Sequence, residues 1–234
     1  MGLSDDLSKG VKDILSQSWD MRDGATVPTT DGIKFAGGAV RLDATILYAD
    51  LAQSSYLATE FQQRTAAKVI RAFLFIMSRL ITTCDGKITS FDGDRVMGVF
   101  IGGSKNSNAA KCALKMDYAV LEIIKPTVTN HFQALKQDGF EISHCVGVDT
   151  SSVLAVRAGQ RGSNDLIWIG RAPNLAAKLS DIRESPYDSF ITEDVYNRLK
   201  DSSKYGGKEN TNMWEKRTFD FLNDKIPVYR SKFY

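Results

Sequence analysis

Two aspartates stand at positions where a carboxylate can bind a metal ion. Asp50 closes the apolar segment Ile46–Leu51, which is typical of a buried strand. Asp94 follows the turn dipeptide Asp92-Gly93 and precedes a second apolar segment. Two ionised carboxylates held close together repel each other unless a cation lies between them, and oxygen ligands favour Mg²⁺ or Mn²⁺ over zinc. A pair of such ions suits an in-line displacement at phosphorus.

Each aspartate also has an ordinary explanation. Asp50 alone fits a helix cap, and Asp92 or Asp94 alone fits a turn, so only their combination in neighbouring strands indicates metal and phosphate chemistry. The sequence contains no Gly-x-x-x-x-Gly-Lys-Ser/Thr loop and no Gly-Gly-Asp-Glu-Phe signature. His131 and His144 have no paired His or Cys nearby, which favours packing or a hydrogen bond for both.

The two aspartates need a scaffold, and the sequence around them alternates between strand and helix patterns. Strands are predicted at 44–51, 87–91, 95–101, 141–148, 153–158, 166–169, 218–222 and 226–230, and helices at 60–82, 108–124 and 172–182. Residues 149–151 are predicted to form a turn, and Pro126 to end or kink its helix. Consecutive hairpins exclude a simple doubly wound parallel sheet. We therefore predict an α+β fold, a ferredoxin-like split βαβ mixed sheet with covering helices.

A separate helix is predicted before this domain. Residues 4–20 carry apolar side chains, from Leu7 to Trp19, at three- and four-residue spacing. The next residues, 23–38, are rich in Gly, Thr and Asp, which is typical of a connector. We therefore expect residues 1–38 to form an N-terminal helix and connector and residues 39–234 to form one domain. The helix is expected to pack on its own domain or on a partner chain, and residues 204–216 to form a solvated loop.

Composition disfavours several classes of protein. The chain has 234 residues, of which 43% are hydrophobic and 25% charged, and a net charge of +2, which argues against disorder and against a protein that coats nucleic acid. The first twenty residues contain several charges, and the longest apolar stretch, 66–80, is interrupted by Lys and Arg. We expect a cytoplasmic protein with no membrane and no nucleic-acid partner. Cys84, Cys112 and Cys145 are expected to be buried or semi-buried free thiols.

Four motifs, in order along the chain, resemble those of the class III nucleotide cyclases. Leu47–Leu51 (LYADL) is similar to their first metal-binding strand, and Gly93–Phe100 to their second metal motif, Gly-Asp-x-x-Met-x-x-Phe. Ile169–Leu179 resembles their Gly-Asp-x-Val-Asn-x-Ala-x-Arg-Leu helix, and Cys145–Ser151 occupies the place of their Gly-Ile-His-x-Gly turn. The resemblance covers about residues 42–183 and identifies 39–234 as a nucleotide cyclase catalytic domain.

This resemblance implies a site with two metal ions. Asp50 and Asp94 would bind two divalent ions, Mn²⁺ or Mg²⁺, assisted by the backbone carbonyl of Leu51. The loop that contains Ser54 and Ser55 would hold the triphosphate of a nucleotide with its amides, because helix N-termini favour anions. The ribose 3′-hydroxyl would then attack the α-phosphate and expel pyrophosphate.

The resemblance also implies that two chains share each site. The family acts as a head-to-tail homodimer, so Asp50 and Asp94 would face Asn174 and Lys178 of the partner subunit. Asn174 would position the ribose. Lys178 takes the place of an arginine that stabilises charge at phosphorus, and it keeps the charge without the planar fork of donors. Whether Lys178 or Arg171 replaces that arginine stays open.

The base-reading positions depart from the family pattern. Ser90 stands four positions before Asp94, where cyclases that make cyclic AMP have a lysine, and Ile167 stands seven positions before Asn174, where they have Asp or Thr. The Glu and Cys-like groups of a guanine reader are absent as well. A buried, apolar Ile167 cannot hydrogen-bond the edge of a purine. The chain is then either a cyclase homologue that has lost activity or a cyclase for a different base.

The retained Asp50, Asp94 and Asn174 favour activity. A single domain with this altered pocket resembles the pyrimidine cyclases of Pycsar antiphage systems, and among them the uridylate cyclases, which implies conversion of UTP to 3′,5′-cyclic UMP and activation of a separate effector protein. A cytidylate or purine cyclase, or an inactive nucleotide-sensing module, is the alternative. Tyr48 shares a strand face with Asp50, and with Ser90 it would contact the smaller base, although a packed core aromatic explains Tyr48 equally well.

Overall fold

Strands and helices follow one another along residues 2–234, the part of the chain that the computed structural model describes. The strands are β1 (Asp20–Asp23), β2 (Gly38–Leu51), β3 (Lys87–Asp92), β4 (Arg95–Ile101), β5 (His144–Gln160), β6 (Ser163–Ile169), β7 (Ser189–Thr192), β8 (Tyr205–Gly206), β9 (Thr211–Asn212), β10 (Glu215–Phe221) and β11 (Asp224–Ser231). The helices are α1 (Leu3–Ser16), α2 (Ser54–Glu60), α3 (Gln63–Thr83), α4 (Lys105–Ala119), α5 (Lys125–His131), α6 (Gln133–Asp138), α7 (Arg171–Ser180), α8 (Glu193–Asn197) and α9 (Asp201–Lys204).

Within residues 2–234, one nine-stranded mixed sheet organises the fold. Its main path has the order β10-β11-β7-β5-β2-β4-β3, with β1 beside β2 and β6 beside β5, while β8 and β9 form a small separate ribbon. The central part reads β5-β2-β4-β3, and helices α2 and α3 connect β2 to β3 while α4 to α6 connect β4 to β5. This is the split βαβ arrangement, so the predicted α+β class with a mixed sheet and covering helices is confirmed.

Strand β2 lies at the centre because both of its edges are paired. It runs antiparallel to β5 along nearly its whole length and antiparallel to β4 on the other side. Its side chains alternate between two cores. Leu47, Ala49 and Leu51 face the core formed with α3 and α4, whereas Ala44 and Ile46 face a second core that includes two alanines of α7.

Helix α7 lies directly on that second face of the sheet. Gly147 of β5 permits the close approach, because a Cβ atom at this position would lie 2.1 Å from the carbonyl oxygen of Ala176. Gly147 is the cross-strand partner of Tyr48 in β2, so helix and tyrosine share one face. Since side chains two residues apart in a strand point the same way, Asp50 belongs to this face as well.

Two local predictions are wrong. Residues 149–151 do not turn, because β5 continues from His144 to Gln160. Asp149 and Thr150 instead pair with β2 and bury their side chains, and the Asp149 carboxylate accepts hydrogen bonds from Arg171 and Thr192. The prediction of a loop at 204–216 is wrong as well, because these residues contain β8 and β9, although most of them are exposed as expected. The buried Trp214 indole donates to the carbonyl of Ser203 at 2.8 Å.

Pro126 changes the course of its helix without ending it. Helix α4 passes into a π-helical turn at Val120–Ile124, and α5 begins at Lys125 with Pro126 in its first turn. The predicted helix at 108–124 therefore extends in both directions as a bent helical segment.

Helix α1 makes no core contact with the rest of the chain. None of its residues is buried, and Leu3, Leu7, Ile14 and Leu15 are each at least 60% exposed. The expectation that this helix packs on its own domain is therefore wrong, and packing on a partner chain stays a prediction. The following strand β1 does join the sheet, in parallel with the start of β2.

Two further expectations concern cysteines and membranes. Cys84, Cys112 and Cys145 are free and buried, as predicted. Among residues 2–234, no helix combines the length and the hydropathy needed to span a bilayer.

Candidate functional site

The carboxylate of Asp50 is buried at the end of β2 and is balanced by two arginines. Asp50 is 6% exposed. Its Oδ2 atom accepts hydrogen bonds from Nη2 of Arg183 at 2.9 Å and from Nη2 of Arg95 at 3.3 Å. Burial raises the pKa of Asp50 above its ordinary value, and the two guanidinium groups offset part of that rise. Both arginines contact the same oxygen, which leaves Oδ1 available to a further ligand.

Asp94 lies in the tight turn that joins β3 to β4. Gly93 adopts a left-handed φ of 61° there, the conformation that glycine reaches without strain. The next residue, Arg95, is the cross-strand partner of Asp50, so Asp94 is one residue away from that pair. The charge of Asp94 raises the pKa of Asp50, which is the expected effect of a neighbouring carboxylate.

The donor set at this strand end suits a hard divalent cation. Among residues 2–234, no group of three or more His, Cys, Asp and Glu side chains forms a self-sufficient metal cage. Mg²⁺ is usually bound by one or two carboxylates together with substrate phosphates and water. Asp50, Asp94 and the backbone carbonyl of Leu51 offer oxygen ligands of this kind, to be completed by phosphate and water. The residues present therefore fit the predicted ions.

Tyr48 and Ser90 share one row across the sheet. Tyr48 pairs with Met97 of β4, which pairs with Ser90 of β3, and side chains of paired residues lie on the same face. Both Tyr48 and Ser90 are half-buried. Tyr48 packs against the core beneath α7, and the guanidinium carbon of Arg95 lies 5.9 Å from its ring centroid. Tyr48 is thus both a packed aromatic and a neighbour of the Asp50 site.

The residues around Ser54 and Ser55 begin α2 immediately after β2. Gln53 has a left-handed φ of 59° and starts the turn into the helix. Ser54 is half-buried and Ser55 is exposed. The amide of Ala52 already donates to the carbonyl of Ser143 at 2.9 Å, so this amide is not free for a phosphate, contrary to the expectation for the whole loop.

Asn174 and Lys178 lie one turn apart on the exposed face of α7. The side-chain amide of Asn174 donates to the carbonyl of Gly170 at 3.3 Å, and Lys178 makes no ion pair within residues 2–234. Ile167 lies on the edge strand β6 and is 45% exposed, so the prediction that it is buried is wrong. It stays apolar on the outer face of β6, together with the exposed Ile169.

The predicted site residues thus fall into two groups. Asp50, Asp94, Tyr48 and Ser90 lie around the end of β2, whereas Ile167 is exposed on β6 and Asn174 and Lys178 are exposed on α7. Across residues 2–234, no hydrogen bond or ion pair connects a member of one group to a member of the other.

Arg171 is held in a structural position. Its guanidinium donates to both carboxylate oxygens of Asp149 at 3.0 Å and to Asp194 at 2.6 Å. It also donates to the carbonyl of Thr150. These contacts tie the first turn of α7 to β5 and to α8, whereas Lys178 makes no ion pair among residues 2–234.

Sequence reasoning missed several charged residues near Asp50. Arg183 follows α7, and Arg95 also forms an ion pair with Asp181 at the end of that helix. No local pattern marks an arginine in a loop. Arg95 was detectable in principle, because it directly follows Asp94 and opens β4.

A buried polar network lies behind the end of β2. His144, the cross-strand partner of Leu51, has its Nε2 atom 3.0 Å from a carboxylate oxygen of Asp117, and Ser189 donates to the other oxygen at 2.7 Å. Burial raises the pKa of Asp117 to about 6. The predicted hydrogen-bonding role of His144 is confirmed. His131 instead packs edge-on against Phe132.

Next to this network is an open cavity of about 770 Å³, lined among others by Gln53, His144 and Arg183. It adjoins the Asp50 site because Arg183 contacts both.

Comparisons with known proteins agree with this architecture. No family model matches the sequence. A protein of Rhodovulum sp. (strain MB263) named uridylate cyclase is 46% identical over 234 residues, which cover 100% of this chain and 98% of the relative. A protein of Xanthomonas perforans with the same name is 38% identical over 232 residues, 99% of this chain and 97% of the relative.

Solved structures with the same fold include the guanylyl cyclase Cya2, with a TM-score of 0.67, 19% identity, and coverage of 82% of this chain and 92% of that one. A dimeric guanylyl cyclase domain from the fungus Blastocladiella emersonii has a TM-score of 0.60 with 12% identity, and it covers 82% of this chain and 97% of that one. At these identities the structural likeness concerns the fold.

Proposed function

Because the chain belongs to the uridylate cyclases, which have the class III nucleotide cyclase fold, we propose that it converts UTP to 3′,5′-cyclic UMP and pyrophosphate. Such an enzyme is a phosphorus–oxygen lyase. The ribose 3′-oxygen forms a bond to the α-phosphorus while the bond to the pyrophosphate oxygen breaks, and the hydroxyl proton is released. The observation that carries the proposal is a buried Asp50 beside Asp94, in a chain whose base-reading positions are Ser90 and Ile167.

The metal part of the proposal involves three oxygen donors. The free Oδ1 atom of Asp50, the Asp94 carboxylate and the Leu51 carbonyl would hold two divalent ions, Mg²⁺ or Mn²⁺. When bound, such ions favour the ionised 3′-hydroxyl and offset phosphate charge. The arginines on Oδ2 of Asp50 keep the carboxylate in place and leave its other oxygen accessible.

The second part of the proposal is a homodimer with shared sites. Asn174 of the partner subunit orients the ribose, and Lys178 of the partner subunit offsets the charge that develops on the α-phosphate. The exposure of both side chains supports this arrangement. So do Ile167 and Ile169, two apolar side chains 45% and 51% exposed on one face of the edge strand β6, since exposed apolar clusters often mark protein contacts.

Selection of the base depends on a pocket that lacks the side chains with which other cyclases hydrogen-bond a purine. Tyr48 and Ser90 lie in one row on the face of Asp50, and they contact the uracil ring in the proposed complex. Ile167 of the partner subunit closes the pocket with an apolar surface. A pocket of this kind fits a pyrimidine better than a purine that needs its edge hydrogen-bonded, and CTP is the competing substrate.

The cellular part of the proposal follows the resemblance to Pycsar cyclases. Cyclic UMP made in the cytoplasm acts as a second messenger in antiphage defence and activates a separate effector protein. Plaque counts on cells that produce the effector together with the wild-type protein or its Asp50→Ala variant test this role. Equal plaque numbers would refute it.

The direct test incubates purified protein with each of the four nucleoside triphosphates and Mn²⁺, with products identified by mass spectrometry. We expect cyclic UMP from UTP, and no product from Asp50→Ala or Asp94→Ala. Asp43→Ala is the matched control, because this carboxylate is 78% exposed on the same strand and pairs with Lys105. A product from ATP or GTP but not from UTP would refute the pyrimidine assignment, and no product from any of them would favour a sensing module.

A further inference from the structure

The guanidinium of Arg183 contacts the carboxylate of Asp50, one of the proposed metal ligands. Its Nη2 atom donates to Oδ2 of Asp50, while Nη1 donates to the carbonyls of Ser180 at 2.7 Å and Ile182 at 2.9 Å. Two backbone contacts thus fix the guanidinium just beyond the end of α7. Its position does not depend on Asp50 alone, so the group is already ordered before a ligand arrives.

The guanidinium has donors to spare. Arginine carries five N–H groups in a planar fork, and within residues 2–234 Arg183 uses three of them in the hydrogen bonds to Ser180, Ile182 and Asp50. The Nε–H and one N–H of Nη2 have no hydrogen-bond partner among these residues. The side chain is 40% exposed and lines the open cavity of about 770 Å³. Two free N–H groups on one guanidinium match two oxygens of a phosphate.

The neighbouring cations are less suited to this task. Arg95 is 24% exposed and shares its Nη2 atom between two carboxylates, those of Asp50 and Asp181. Lys178 forms no ion pair with Asp50, whose ion-pair partners among residues 2–234 are Arg95 and Arg183. The cross-strand partner of Asp50 in β5 is Cys145, a buried thiol without charge. Arg183 differs from Arg95 in pairing with one carboxylate rather than two and in its greater exposure, 40% against 24%.

We propose that Arg183 binds the triphosphate of the nucleotide through its free Nε–H and Nη2–H groups, in the same chain as Asp50 and Asp94. This inference rests on the proposed function, because it assigns a residue to the substrate of that site. The guanidinium holds the β- and γ-phosphates, which leave as pyrophosphate, and offsets their charge. Its bonds to Ser180 and Ile182 keep the fork in place during the reaction.

Binding of magnesium tripolyphosphate, measured by titration calorimetry, tests the inference without turnover. This probe carries no base and no ribose, so it cannot be cyclised, and its affinity does not depend on which nucleotide is the substrate. We expect Arg183→Gln to weaken binding by at least about tenfold, as loss of charged hydrogen bonds predicts. Arg198→Gln is the matched control, because Arg198 is an exposed arginine paired with Asp194 on α8; its affinity should equal that of wild type.

Arg183→Lys keeps the positive charge but lacks the planar set of N–H donors. It serves as the second variant if thermal melting shows that Arg183→Gln does not fold. We expect it to bind tripolyphosphate more weakly than wild type. Unchanged binding by either folded variant would overturn the inference, and so would tighter binding, since this is the effect of a residue that only competes with the metal for Asp50. Absence of binding by wild type would overturn it as well. Failure of UTP cyclisation, measured separately, bears on the proposed function and leaves this result unaffected.

Discussion

Replacing Asp117 by asparagine tests the buried network that supports the strand ends beside Asp50. Asp117 is 2% exposed on α4 and accepts hydrogen bonds from His144 and Ser189. Asparagine has nearly the same shape. Its oxygen can accept from Ser189 and its amide can donate to His144, so Asp117→Asn removes the titration while it keeps two contacts.

The expected effect depends on pH because the pKa of Asp117 differs between folded and unfolded protein. Burial raises it from 3.8 to about 6 in the folded state, so the folded protein holds this proton more tightly than the unfolded chain. The resulting stabilisation is complete below pH 3.8 and is lost as pH rises through about 6. A shift of this size corresponds to about 3 kcal/mol, of which about 2 kcal/mol disappears between pH 4 and pH 7.

Urea unfolding at pH 4, 5, 6 and 7 measures this difference by linear extrapolation. The unfolding free energy of Asp117→Asn, relative to that of wild type, should increase by about 2 kcal/mol from pH 4 to pH 7. Asp13→Asn is the control, since Asp13 is exposed on α1, and its difference from wild type should stay constant. If the difference in unfolding free energy between Asp117→Asn and wild type stays constant, or decreases from pH 4 to pH 7, the reasoning is refuted. Ionised Asp117 would then not destabilise the folded protein at neutral pH.

A substitution, a deletion and a mixture of two variants test packing and assembly. Gly147→Ala should lower the free energy of unfolding by at least about 2 kcal/mol, because its Cβ would meet the Ala176 carbonyl at 2.1 Å; a melting temperature equal to wild type would contradict the close approach of α7. Deletion of residues 2–17 should leave the monomer's unfolding free energy unchanged, as α1 buries nothing in its own chain, and should weaken the dimer in sedimentation experiments if a partner chain covers it. An equal mixture of Asp50→Ala and Lys178→Ala chains, each inactive alone, should recover about a quarter of wild-type activity, since half of the dimers carry one intact site of two; no recovery would refute shared sites.

Local patterns were sufficient to predict the elements that carry the carboxylates. The continuous apolar run before Asp50 and the Asp92-Gly93 dipeptide are short-range signals, and a strand forms at each place, although β2 begins at Gly38 rather than at residue 44. The segment 149–151 misled the prediction because Asp, Thr and Ser favour turns. In the folded chain their polar groups are satisfied by residues more than twenty positions away, and such partners are invisible in a local window.

Burial was hard to predict for the same reason. Ile167 is apolar, and its residue type suggested a buried position. Ile167 is exposed on an edge strand. Among residues 2–234, β6 pairs with β5 and with no further strand, and the residues around Ile167 do not indicate this. The contact between Arg183 and Asp50 spans 133 positions, and nothing in the residues around Arg183 indicates it.

The orientation of α7 gives the strongest argument for a site made of two chains. Its inner face, with Ala172 and Ala176, is packed against the sheet beside Tyr48, and Gly147 is needed to let it come so close. Asn174 and Lys178 therefore project from the opposite face, and a rotation that turned them toward Asp50 of their own chain would expel the alanines from the core. In the proposed dimer, a Lys178 side chain from the second chain would reach the nucleotide held beside Asp50. The helix that packs against the sheet of one subunit would then present its outer face to the partner, which the mixed-chain experiment tests.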